Sequence, residues 1–171
     1  MHILVDGYNL IRQSPEFRSF EQLGLESGRK HLISRLEQFR KMRGHKITIV
    51  FDGWENGSLT QERTREGATT VIYSRKGERA DEVIKRMAAQ GGRNMVVVTS
   101  DRDLAYSVTL SGATVISSSR FEESIAQLDG FSMSYGKDDD DRNRFNMTQK
   151  KGPSKKLSKR KRVELSRLKN L

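Results

Sequence analysis

The strongest constraint on this chain is a series of short apolar runs set between longer amphipathic stretches. Residues 3–5, 47–51, 70–73 and 95–99 are rich in β-branched side chains, and 113–116 is a weaker fifth run. Near-continuous apolar runs of this length suit strands buried on both faces, as in a parallel sheet covered by helices. Helical patterns lie between them. Residues 26–43 put Leu32, Ile33, Leu36 and Phe39 on one stripe with charged residues opposite, and Gly44 reads as the stop. Residues 81–90 put Val83, Ile84 and Met87 on one face and end at Gly91-Gly92. Residues 103–110 and 122–128 are shorter candidates. Strands alternating with helices predict right-handed β-α-β units, an open parallel α/β sheet and helices on both faces. The polar, irregular stretch 54–67 is read as running past the sheet edge before the third strand.

The charge is unevenly placed. The 171 residues include 32 Lys and Arg against 22 Asp and Glu, a net charge of +10. From Lys150 to the end there are ten basic residues and one acid, Glu164. The basicity is therefore an appendage, and a histone-like chain is excluded. The expected organisation is a globular domain over 1–130, a polar linker over 131–152 that contains Asp138 to Asp141, and a disordered basic tail over 153–171. In that tail a short helix through Leu157, Val163, Leu165 and Leu168 would form on contact with a partner. Cysteine is absent, which excludes disulfides, thiolate zinc sites and a cysteine nucleophile. No stretch approaches the roughly 18 apolar residues of a membrane span, and the N-terminus lacks a basic signal region. A cytoplasmic protein is expected.

Three of the strand runs end in acid: Val5-Asp6-Gly7, Phe51-Asp52-Gly53 and Thr99-Ser100-Asp101-Arg102-Asp103. Ligands of open parallel sheets bind at the carboxyl ends of the strands, so these aspartates are expected to converge. Asp81 opens a helix and would face the same edge. Several carboxylates in one crevice repel one another unless a cation sits among them. Oxygen-only donors favour Mg²⁺ or Mn²⁺ over zinc, and such ions suit phosphodiester hydrolysis. The ordinary alternatives for each aspartate are a turn residue or a helix N-cap.

These residues carry a resemblance. Val5-Asp6-Gly7-Tyr8-Asn9-Leu10 is similar to the opening motif of NYN domains, a branch of the PIN-like nuclease superfamily. Phe51-Asp52-Gly53, Ala80-Asp81-Glu82 and Thr99-Ser100-Asp101-Arg102-Asp103 follow in the order and spacing of the YacP-like bacterial group, over about residues 1–130. The resemblance implies a PIN-like sheet of strand order 3-2-1-4-5. It implies a metal-dependent ribonuclease site of Asp6, Asp81 and Asp101, with Asp103 and Asn9 as helpers. It also implies translating ribosomes as a partner, since the group includes a protein similar to a ribosome-associated mRNA endonuclease.

The residues themselves suggest roles. Asp6 ends what should be the central strand and is the first candidate for a direct ligand. Asp101 is the second, and Asp81 would close the cup from its helix. Asp103 either binds metal or caps the next helix. Asp52 either supports the site from its edge or reaches the metal through water. Asn9 and Ser100 either hold a phosphate oxygen or a metal-bound water, or stabilise turns. Gly7 and Gly53 either turn the backbone beneath a ligand or are ordinary loop glycines. Arg12, Arg75, Lys76, Arg79 and Arg102 lie near the motifs and are candidates to hold an RNA backbone. Tyr8 and Trp54 are candidates to stack on bases. Lys155, Lys156, Lys159, Arg160, Lys161 and Arg162 are dense enough to bind mRNA or rRNA through counterion release. No phosphate loop, dinucleotide fingerprint or nucleophile elbow is present. The expected function is a Mg²⁺- or Mn²⁺-dependent endoribonuclease. The alternatives are a catalytically inactive RNA- or ribosome-binding module of the same fold and a phosphatase on a small phosphoester.

Overall fold

The computed structural model describes residues 1–53 and 58–134, with side chains through 127, and residues 162, 163, 166 and 167. Trp54 and most of the basic run (Lys155, Lys156, Lys159, Arg160 and Lys161) lie outside the described residues, as does most of the linker.

All five apolar runs are strands of one sheet. They form β1 (His2–Asp6), β2 (Lys46–Phe51), β4 (Thr69–Tyr73), β5 (Met95–Val98) and β6 (Thr114–Ile116). A sixth strand, β3 (Glu62–Glu66), pairs antiparallel with β4 at the outer edge. The order is β3-β4-β2-β1-β5-β6, and every pairing except β3 with β4 is parallel. The five predicted strands therefore stand in the order 3-2-1-4-5. The stretch expected to be irregular supplies the extra strand. Its residues, Glu-Arg-Thr-Arg-Glu, are all exposed and carry no apolar signal, so backbone bonds to the open edge of β4 and the hairpin turn at Gly67 (φ 64°) form it.

The side-chain alternation along each strand divides the core in two. Ile3, Val5, Ile47, Ile49, Phe51, Val71, Val96 and Val98 face one side. There they meet α1 (Gly7–Gln13), α2 (Pro15–Glu21), α3 (Leu25–Arg43) and α6 (Ser118–Ser134) through Leu10, Phe17, Leu36 and Phe121. Leu4, Val50, Ile72 and Val97 face the other side, against Val83 and Ile84 of α4 (Ala80–Gly91) and Leu104 and Val108 of α5 (Arg102–Leu110). Ile3, Leu4 and Val5 are fully buried, each contributing roughly 1.5–3 kcal/mol.

Three helices differ from the sequence reading. α1 begins directly on Asp6, so Gly7 is helical and not a turn. A Cβ there would lie 2.3 Å from the Phe51 ring, so close packing is what requires glycine. α2 is short but carries a legible start signal: Ser14 caps it and Pro15 follows at its first position. α6 is longer than 122–128 and continues to Ser134, past the expected domain end near Gly130. At the C-terminus, Arg162, Val163, Ser166 and Arg167 are helical, and Arg167 donates to the carbonyls of Met95 and Arg93. Arg167 thus lies against the domain, within the stretch expected to be a disordered tail. No helix of the described residues is long and apolar enough to cross a membrane.

Candidate active site

β1 lies between β2 and β5, so the residue that ends it stands at the middle of the sheet's carboxyl edge. That residue is Asp6. One carboxylate oxygen caps α1 by accepting from the Asn9 backbone N–H at 3.2 Å, and the other accepts from the Thr99 hydroxyl at 3.2 Å. Asp6 is 8% exposed. Burial is the largest influence on its carboxyl and pushes the pKa up to about 6. The two hydrogen bonds oppose that rise, and the charges of Asp81 and Asp52 add to it.

Asp81 projects from the first turn of α4 and is partly buried. Its pKa is also raised, mainly by burial. Asp101 and Asp52 push it further up, and Arg79 opposes them. Asp101 caps α5 through one oxygen, which accepts from the N–H groups of Asp103 at 2.8 Å and Leu104 at 2.9 Å. The N-cap alternative thus holds for both Asp6 and Asp101, and it leaves each within electrostatic reach of Asp81. Asp52 accepts the Ala80 N–H at 2.6 Å and so caps α4, whose own N-cap residue, Arg79, makes no side-chain cap. A carboxylate from one strand therefore positions the helix that carries another.

Asn9 and Ser100 are cross-braces. The Asn9 side-chain oxygen accepts from the Ser100 N–H and the Ser118 hydroxyl, both at 2.8 Å, and the Ser100 hydroxyl accepts from the Ser118 N–H at 3.1 Å. Their oxygens thus fasten α1 to the segments after β5 and β6. Gly53, two residues beyond β2, has its N–H bonded to the Ser74 hydroxyl at 3.0 Å. Asp103 is exposed in the first turn of α5. Arg12, Arg79 and Arg102 are exposed, and Arg79 lies within electrostatic reach of Asp81. Arg75 is tied to Glu78 at 3.5 Å, and Lys76 is exposed in the turn before α4. Arg162 is exposed in the C-terminal stretch.

Two residues that the sequence reading passed over complete the frame. Thr99 donates to Asp6 and accepts from the Asp101 N–H at 3.1 Å, joining the two acids through one hydroxyl. Buried Ser118 anchors Asn9 and Ser100. Thr99 stands at the end of an apolar run and directly before the acidic motif, which is the signal that would have found it. Beside Asp101, a cavity of about 600 Å³ opens between α5 and β6, with Thr99, Ser100, Arg102 and Ser117 on its wall.

No three His, Asp or Glu side chains among the described residues stand close enough together to clasp an ion. The donor chemistry nevertheless fits a hard divalent cation. Asp6 is a buried carboxylate whose hydrogen bonds come only from uncharged donors and whose charged neighbours are acids. Oxygen donors with an uncompensated negative charge are what Mg²⁺ and Mn²⁺ prefer.

Comparison with known proteins gives the same fold. A crystal structure of Rae1 (YacP) from Bacillus subtilis superposes with a TM-score of 0.67 at 23% identity, covering 79% of each chain. A mutant of the same protein superposes with a TM-score of 0.66 at 21% identity, covering 81% of this chain and 86% of that one. The relative YacP of Bacillus subtilis (strain 168) is 30% identical over 115 residues, which span 65% of this chain and 66% of the relative's own length. The model of the YacP-like NYN domain matches residues 3–170, well beyond the 130 or so residues that carry the motifs. The chain belongs to the YacP-like NYN domain family, and its sheet is a PIN-like nuclease fold.

Proposed function

We propose that this protein is a divalent-metal-dependent endoribonuclease that hydrolyses RNA phosphodiester bonds. The observation that carries the reading is Asp6: a buried carboxylate at the centre of the sheet's carboxyl edge, hydrogen-bonded only by uncharged donors and within electrostatic reach of the acids Asp81 and Asp52. Burying an unpaired charge costs several kcal/mol, and a fold keeps such a group where a ligand compensates it. Asp6, Asp81 and Asp101 would be the oxygen donors to Mg²⁺ or Mn²⁺, closing on the ion from the wider spacing of the described structure, with Asp103 at the rim. A bound ion of this kind lowers the pKa of a coordinated water and stabilises charge on the leaving oxygen.

The chain's own residues supply position. Asp52 fixes the start of α4 and with it Asp81. Thr99 sets Asp6 against Asp101. Asn9 and Ser100 lock the loops around them, and the Asn9 amide group is free to meet a phosphate oxygen. Arg12, Arg79 and Arg102 would bind flanking phosphates. In the reaction, water adds in line to phosphorus and the bond to the 3′ oxygen breaks, leaving 5′-phosphate and 3′-hydroxyl ends. The basic run from Lys155 to Arg162 would add non-specific affinity for mRNA or rRNA, and the translating ribosome in the cytoplasm is the proposed setting.

The test is cleavage of an end-labelled single-stranded RNA, free and on translating ribosomes, with and without Mn²⁺. Metal-dependent cutting that is lost in Asp6→Asn and Asp101→Asn supports the reading. Tight RNA or ribosome binding with no cutting in either setting would replace it with a binding module of the same fold.

A further inference from the structure

α3 runs antiparallel to the strand that follows it, so its first turns stand at the carboxyl edge of the sheet, beside the row of acids. Arg29 projects from there and was not among the basic residues singled out from the sequence. Its guanidinium lies over the Tyr73 ring, 5.6 Å from the centroid. Arg12 lies over the Tyr8 ring in the same way, at 5.8 Å. Phe51 joins the two tyrosines, with its ring 5.1 Å from Tyr8 and 5.7 Å from Tyr73. The result is a strip of three rings with a guanidinium at each end, laid across the ends of β4 and β2 and the start of α1. The Tyr8 hydroxyl is within electrostatic reach of both Arg29 and Asp52, which ties the strip to the carboxylate row.

Among the described residues Arg29 makes no ion pair: its Nε is buried without a hydrogen-bond partner, and the nearby acid, Glu26, pairs with Lys30 at 2.7 Å. A half-buried guanidinium held only by an aromatic face has lost water on one side and gained no carboxylate in return. Its planar fork is suited to two oxygens of one anion, and a phosphodiester offers two.

We propose that Arg29 is an RNA-binding residue: its guanidinium holds a phosphodiester next to the one cut at the carboxylate row, with Tyr73 as its platform. This rests on the ribonuclease reading and extends it, by directing the bound strand from the acids toward α3 and β4. Arg12 would hold the strand nearer the acids.

The experiment measures binding of a labelled single-stranded RNA by the full chain in EDTA across a salt series, using fluorescence anisotropy. Arg29→Gln should weaken binding about fivefold to tenfold near 0.1 M salt and flatten the slope of log K against log salt by about 0.7, the loss of one phosphate contact to a single strand. Arg29→Lys should keep the slope and recover part of the affinity, because the charge stays and the fork goes. Lys41→Gln, at the far end of α3, should change neither. A structural role alone would lower Tm without moving the slope. An unchanged slope and affinity in a folded Arg29→Gln variant overturns the inference and leaves the ribonuclease reading standing. If Arg29→Gln does not fold, Arg29→Lys decides: affinity equal to that of the unsubstituted chain overturns the inference. If the unsubstituted chain neither binds nor cuts RNA, the ribonuclease reading falls and this inference falls with it.

Discussion

At the amino edge of the sheet Glu37 is surrounded by donors, whereas at the carboxyl edge Asp6 is surrounded by acids. Glu37, on α3, accepts two bonds from Arg40 at 2.9 Å and one from the Thr69 hydroxyl at 2.6 Å, where β4 begins. Arg40 is the main reason its carboxyl is held down to about 2, against the opposing effect of burial. Asp6 is pushed up to about 6 by burial, and its charged neighbours make matters worse. The same kind of group is thus stabilising at one end of the fold and destabilising at the other. Glu37 ties α3 to the β3–β4 hairpin. Asp6 does nothing for the fold that an uncharged cap would not do as well, which under the proposed function leaves its charge for a ligand.

The largest expected effect breaks the comparison at its functional end. Asp6→Asn preserves the cap on α1 and removes the charge. If the site works as proposed, cleavage should fall about a thousandfold, the equivalent of several kcal/mol of transition-state stabilisation. Gel-based rates on single-stranded RNA in Mn²⁺ check this, and a fall of less than tenfold would show that Asp6 is dispensable to the chemistry.

Glu37→Ala should act in the opposite way. It leaves Arg40 and Thr69 without their shared acceptor and should cost about 2–3 kcal/mol of stability near neutral pH, read from urea unfolding. Activity per folded molecule should not change. The sign with pH follows from the depressed pKa. The stabilisation is complete above the ordinary carboxylate value of about 4.5 and is lost as pH falls through about 2. The two chains should therefore converge in stability in strong acid, and a gap that persisted there would mean packing, not charge, is what Glu37 supplies.

The two edges also differed in how legible they were. The five buried strands announced themselves, because residues such as Ile47 and Val96 have to be apolar wherever helices cover both faces. β3 was invisible, because a strand of exposed charged residues exists only through an open neighbouring edge, a tertiary fact. The candidate site was legible as a set of acids, since Asp6, Asp52 and Asp101 each follow an apolar run. What the sequence withheld was who positions whom. Asp52 capping α4 and Asn9 bracing residues after two other strands are contacts 28 or more positions apart. Arg29 was hidden for another reason: on an amphipathic helix crowded with charge, nothing local separates a bound cation from a solvated one. Glu37 was hidden in the same way.

A smaller effect sharpens the contrast at Asp6 itself. Because its folded pKa, about 6, lies above the ordinary value of 3.8, the folded protein binds its proton more tightly than the unfolded chain does. Stability should therefore fall as pH rises from about 4 to about 6, and that loss should be fully present above pH 6. Asp6→Asn escapes it. In EDTA at pH 7 the variant should be more stable than the unsubstituted chain by about 3 kcal/mol, the order of magnitude that a carboxyl raised from 3.8 to about 6 implies. Below pH 4, where both side chains are neutral, the advantage should vanish. Adding Mn²⁺ should raise the Tm of the unsubstituted chain and narrow the gap, because an ion bound only to the folded state stabilises it. A variant that is less stable at neutral pH, with no convergence in acid, would mean that the Asp6 carboxylate serves the fold as Glu37 does, and the contrast between the two edges would no longer point to a ligand.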